Sequence, residues 1–220
     1  MVGYGQNRDE AQLLWEGDLE GKTFVTPAQL KQNPTGNKGE IEVVKRTFKG
    51  ESIVKIPVSF WFSPIAKSLT PMGAAFDLCT QLVSEWSAEH PNCFPPIVIN
   101  ITDGEQTDCE DDELLEKAYC LRQTATNYGE TLLFNIHISS DTDEAVLFPE
   151  SKADLPDNQH CHLLYQMSSQ LPDAFRKRIA HEIKRTDLSE NTNYVAMTFQ
   201  ASVGDLTKCL DIGTKTITTS

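Results

Sequence analysis

The chain is short of positive charge: 19 Lys and Arg stand against 32 Asp and Glu, for a formal net charge of −13 over 220 residues. That balance argues against nucleic acid as the main partner, because phosphate binding relies on clustered Lys and Arg. It fits solubility, a basic protein partner or a cation, and its plainest reading is a solvated acidic surface. Long apolar runs are also missing, and no stretch approaches the roughly 18 residues of a membrane span. Met1-Val2-Gly3-Tyr4-Gly5 has neither a basic region nor an apolar segment, so it does not read as a signal peptide. A soluble, cytoplasmic protein with reduced thiols is expected.

The six cysteines include no Cys-x-x-Cys pair, which argues against a zinc knuckle. Cys79, Cys120 and Cys209 fall among helical apolar positions and read as small core residues. His160-Cys161-His162 offers metal-binding atoms, but neighbours on a helix point in different directions. A Gly-rich phosphate loop, an Asp-x-Asp nucleophile motif, a Ser/His/Asp arrangement and internal repeats are all lacking.

What is present alternates in period. Ile41 to Phe48 and Ile53 to Phe62 read as strands of a hairpin turning at Lys49-Gly50, with Val54, Ile56, Val58, Phe60 and Phe62 on one side. Thr70-Pro71 opens a helix, with Thr70 as N-cap and Pro71 as first helical residue, that ends at His90-Pro91. Ile97 to Thr102 is a short β-branched run expected to be a buried parallel strand. A helix with Leu114, Leu115, Ala118, Leu121, Ala125 and Tyr128 as its stripe stops at Gly129. Thr131 to Ser139 is a strand, 160–170 and 173–185 are helices, Tyr194 to Phe199 is a strand, and a helix lies near 205–210. This order predicts an α/β fold: one domain over residues 1–220, a three-layer, doubly wound, mostly parallel sheet with helices on both faces, and a β-hairpin insertion around 38–62.

In such a sheet, ligands bind beyond the carboxyl ends of the strands. Asp103 sits at one such end and Thr70 at the neighbouring one. Together they offer a carboxylate and a hydroxyl to a hard cation, Mg²⁺ above all, with Mn²⁺ or Ca²⁺ as variants. Glu105 and Asp108 are placed to favour the next helix through its dipole, and Thr107-x-x-Glu110 has the form of a capping box.

Ser68-Leu69-Thr70-Pro71-Met72-Gly73-Ala74-Ala75-Phe76 followed by Ile99-Asn100-Ile101-Thr102-Asp103-Gly104-Glu105 resembles the von Willebrand factor type A (VWA) domain. The similarity is greatest to its intracellular bacterial branch, which includes the tellurium-resistance Y-type proteins, and it runs from about Val2 to Thr214. The resemblance implies a doubly wound sheet and a metal-ion-dependent adhesion site (MIDAS) that binds a protein partner, in bacterial signalling or stress response. Thr70 matches the threonine of the second motif and Asp103 the aspartate of the third. The first motif, Asp-x-Ser-x-Ser, is not found; Asp141-Thr142-Asp143 and Asp211-Ile212-Gly213-Thr214 are the nearest imitations. Val2-Gly3-Tyr4-Gly5 resembles the family's second strand. On that resemblance the first strand and helix, about 35 to 45 residues for such a unit, are missing.

Two functional classes follow. One is a metal-dependent protein-binding module, whose partner completes the metal shell with an acidic group and which forms a homo-oligomer if the missing strand is supplied in trans. The other is a Mg²⁺-dependent hydrolase, a phosphatase or nuclease using Asp103, Glu105 and Asp108 of the acidic loop 103–108. Weak Mg²⁺ binding is expected, because one carboxylate and one hydroxyl compete poorly with water.

Overall fold

Short strands and helices alternate along the chain in a computed structural model that describes residues 1–6, 10–36, 38–47, 50–63, 69–139, 145–183 and 192–214. β1 (Val2–Tyr4) and β2 (Ala11–Leu13) pair antiparallel. α1 (Pro27–Gln32) is started by a reciprocal capping box between Thr26 and Gln29. β3 (Lys38–Thr47) and β4 (Gly50–Ser59) form a hairpin in register from Lys38↔Ser59 to Thr47↔Gly50. Then come α2 (Met72–Glu89), β5 (Ile97–Thr102), α3 (Asp111–Gln123) and a minimal hairpin of β6 (Ala125–Thr126) and β7 (Gly129–Glu130). β8 (Leu132–Ile138), β9 (Val146–Leu147), α4 (Gln159–Met167), α5 (Asp173–Glu182), β10 (Met197–Ala201) and α6 (Val203–Thr214) follow.

The main sheet has the order β5-β8-β10-β9, with β5, β8 and β10 parallel and β9 antiparallel. β8, sequence LLFNIHI, is its middle. A nearly unbroken apolar run suits a strand covered on both faces. Leu133 packs with residues of α2, α3 and α4, such as Phe76, Leu121 and Leu164. Leu132, Phe134 and Ile136 pack on the opposite side with Phe175 and Ile179 of α5 and Cys209 and Ile212 of α6. The result is a mixed α/β fold with helices on both faces of a largely parallel sheet, a Rossmann-like arrangement. Each fully buried Leu, Ile or Phe contributes about 1.5–3 kcal/mol.

Several elements depart from expectation. β5 is parallel but terminal in the sheet, not enclosed, and Ile101 is 39% exposed. α3 stops at Gln123, because Thr124 turns back to bond Leu121 O through both its N–H and its hydroxyl. Tyr128, expected on the apolar stripe, is exposed, and Gly129 serves the β6–β7 turn at φ 139°. β4 ends at Ser59, where Thr35 binds Phe60 O through its N–H and its hydroxyl. Val54 and Ile56, which alternate on one side of β4, are exposed, because β3 and β4 pair only with each other among the described residues. Cys209 is buried as expected, Cys79 is half-buried, and Cys120 is exposed, since it lies off the Leu114–Ala118–Leu121 stripe. The basic run Arg176–Arg178 is partly engaged: Arg176 Nε donates to Thr192 O at 2.9 Å and Arg178 Nη1 to Ile212 O at 3.3 Å.

Candidate functional site

The rim beyond the carboxyl ends of β5 and β8 is built from two loops tied together. Thr102 Oγ1 donates to Gly104 O (2.8 Å) and accepts the Gly104 N–H (3.2 Å), which folds the chain sharply after β5. Thr70 N–H donates to Thr107 Oγ1 at 2.8 Å, and Thr107 N–H donates to Thr70 O at 3.0 Å. A Cβ placed on Gly104 would lie 3.6 Å from Thr70 Oγ1, so Thr70 stands beside the Asp103–Gly104 turn. Asp103 is exposed there.

The caps differ from those read in the sequence. α2 begins at Met72 with Pro71 in the N-cap position, and Pro71 has no side chain able to accept a bond. Asp108, from the other loop, accepts from Gly73 N–H (3.1 Å) and Ala74 N–H (2.8 Å) instead. Thr107 gives its hydroxyl to Thr70, so the expected Thr107–Glu110 capping box does not form, and Glu110 makes no side-chain cap. Asp111, Asp112 and Glu113 offset the positive end of α3.

The metal reading is overturned. Among the described residues no group of three or more His, Cys, Asp or Glu side chains is arranged to hold a metal ion. Asp108 is committed to the amides of α2, which leaves Thr70 and Asp103 as one hydroxyl and one exposed carboxylate. A Mg²⁺, Mn²⁺ or Ca²⁺ cofactor, the metal-dependent binding function, the VWA-type MIDAS and the Mg²⁺-dependent hydrolase on Asp103, Glu105 and Asp108 all fall with it. Of the two imitations of Asp-x-Ser-x-Ser, Asp211–Thr214 lies within α6, and Asp141–Asp143 lies outside the described residues.

Two features emerge in place of a metal site. The first is the free edge of β5. Pro96 O accepts from Leu132 N–H on the β8 side. In a parallel strand, successive residues turn their N–H and C=O groups to alternate sides. Val98, Asn100 and Thr102 therefore face β8, whereas Ile97, Ile99 and Ile101 turn theirs outward. Among the described residues no strand pairs with that outer side. The Tyr4 hydroxyl reaches it, lying 2.9 Å from Ile101 O and 2.8 Å from Asn100 Oδ1. From Asn100 a chain of side-chain bonds crosses the core: Asn100 Nδ2 to Asn135 Oδ1 (3.0 Å), Asn135 Nδ2 to Ser168 Oγ (2.9 Å), and Ser168 Oγ to Leu164 O (2.7 Å). Asn100 and Asn135 are register partners, and both are buried. The sequence carries the mark of this pair as Ile-Asn-Ile in β5 and Phe-Asn-Ile in β8, a lone amide at the same place in two apolar strands. Tyr4 had no comparable mark.

The second feature is a histidine pair. His137, at the carboxyl end of β8, stacks on Phe199 with ring centroids 4.6 Å apart and meets His160 of α4 edge-on at 5.4 Å. Burial first, then His137, holds His160 below its ordinary range. Only adjacency in His160-Cys161-His162 had drawn notice to it, whereas the packing joins it to His137. No family model, curated protein or solved structure matches the chain.

Proposed function

We propose that the chain is a protein-binding module that works without a metal, by taking an extended segment onto the open edge of β5. The observation that carries this reading is the outward row of Ile97, Ile99 and Ile101 backbone groups, which has no strand partner among the described residues, although Ile101 O accepts the Tyr4 hydroxyl. Such a row is a template for β-augmentation: main-chain bonds give affinity and flanking side chains give selectivity. The occupant that fits is the β3–β4 arm of a second copy. That arm exposes Ile53, Val54 and Ile56 at 66%, 40% and 42%. Lys38 to Ser59 holds five basic and three acidic residues in a chain of net charge −13, so arm and body are of opposite sign. Cytoplasmic residence fits six unpaired cysteines, Cys93 and Cys120 among them exposed. Among the described residues no helix is long and apolar enough to cross a membrane.

Sedimentation equilibrium over a wide concentration range tests the proposal. A dimer that Ile101→Lys dissociates, with melting temperature little changed, is the expected result, because an edge lysine blocks strand addition. Ile53→Glu with Ile56→Glu on the arm should do the same. A monomer at every concentration, or a dimer indifferent to both variants, overturns it.

A further inference from the structure

A small polar cavity of about 110 Å³ lies where the N-termini of α3 and α4 approach each other, lined by Glu105, Gln106, Asp111, Gln159, His160 and Leu163. Its lining is unusual in what it leaves unbonded. His160 is 6% exposed, yet neither ring nitrogen has a hydrogen-bond partner, and Gln106 Oε1 also has none. Buried polar atoms are almost always paired, so the two unpaired acceptors here, Gln106 Oε1 and the lone-pair nitrogen of a neutral His160, point to a donor that reaches them. The side-chain amides of Gln106 and Gln159 both donate to the Asp111 carboxylate, the latter at 2.8 Å. That fixes Gln106 with its carbonyl oxygen as the spare atom.

We propose that this cavity binds a small primary alkylammonium ion. The cavity offers acceptors in the number such an ion needs: Gln106 Oε1, the lone-pair nitrogen of a neutral His160, and the Glu105 carboxylate. A primary ammonium brings three N–H donors and one positive charge. Glu105 and Asp111 supply negative charge, and no Lys or Arg lines the cavity. Leu163 gives the short alkyl group an apolar wall. The two helix ends do not reverse this sign, because Asp111, Asp112 and Glu113 offset α3, and the Asn158 side chain occupies the Cys161 N–H of α4 at 2.8 Å. The low basicity of His160 keeps its lone pair available near neutral pH. Hydrogen bonds to neutral acceptors suffice for an ammonium, so the site does not need the ligand cluster a metal would. Filling it displaces about three or four waters, at roughly 30 Å³ each.

The test is a titration of labelled protein with methylammonium chloride, followed through the His160 ring and Gln106 side-chain NMR signals. Tetramethylammonium chloride and sodium chloride at equal ionic strength serve as controls, since neither cation donates a hydrogen bond. Saturable shifts with methylammonium alone are expected. Glu105→Gln, at an exposed position, should weaken binding at least about tenfold through one lost charge-assisted bond. Acidification should release the ion as His160, faced by His137, Glu105 and Asp111, takes up a proton. Shifts that never saturate, shifts that either control reproduces, or an affinity unchanged in Glu105→Gln overturn the proposal.

Discussion

Asp108 accepts two amides of a helix that it does not belong to, and so holds the loop after β5 against the start of α2. Asp108→Ala should cost about 0.5–2 kcal/mol in urea unfolding, the range of a lost N-cap, and Asp108→Asn, which keeps one acceptor, should cost less. Cap chemistry was legible in the sequence, because a Thr-Pro pair and an acidic loop announce helix starts. Its partners were not. Thr70 precedes α2 and reads as the cap, yet Pro71 takes the N-cap position and the amides are reached from the other loop. A pattern within a few residues cannot report a bond made between loops. The same limit hid Tyr4, whose role depends on Asn100 and Ile101 far along the chain.

Strand β5 was legible as a strand from its β-branched run, but its place at the margin of the sheet was not, because periodicity specifies conformation and says nothing of neighbours. The β3–β4 arm shows the converse. Its alternation was read as strand periodicity, which holds, yet the alternating residues Val54 and Ile56 are exposed. Ile53→Ser and Ile56→Ser should therefore change the stability of the isolated chain by no more than about 0.5 kcal/mol, read from thermal melts at low concentration. Phe134→Ala in β8, at 1% exposure and packed between α5 and its own sheet, should cost about 3–5 kcal/mol. If the two arm variants approach that loss, the arm packs on its own body and the dimer proposal loses its donor.

Across the whole molecule, the acidic balance is legible from composition, but the burial of its neutral acids is not. Burial pushes the thiols of Cys79 and Cys161 from 9.0 up to about 11 and that of Cys209 to about 12, and it raises the Tyr4 hydroxyl from 10.0 to about 12. Between those limits the unfolded chain has released protons that the folded chain retains, so stability falls as pH rises. Urea unfolding should show a loss beginning near pH 9.0 and continuing towards 12, and Tyr4→Phe should flatten the part above 10.0. A stability that stays level across this interval would mean that these groups are open to water.

The amide pair between β5 and β8 has a consequence for exchange with solvent. Asn100 and Asn135 meet across β5 and β8 with apolar residues on either side of each, so sliding one strand past the other would set each amide against an isoleucine or phenylalanine. Only the native alignment satisfies both. Their side-chain NH₂ protons should then exchange with deuterium as slowly as the backbone amides of β8, because they can meet water only when the two strands part. Exposed side-chain amides such as those of Gln81 and Asn127 should exchange far faster, which gives an internal clock for the opening of the sheet.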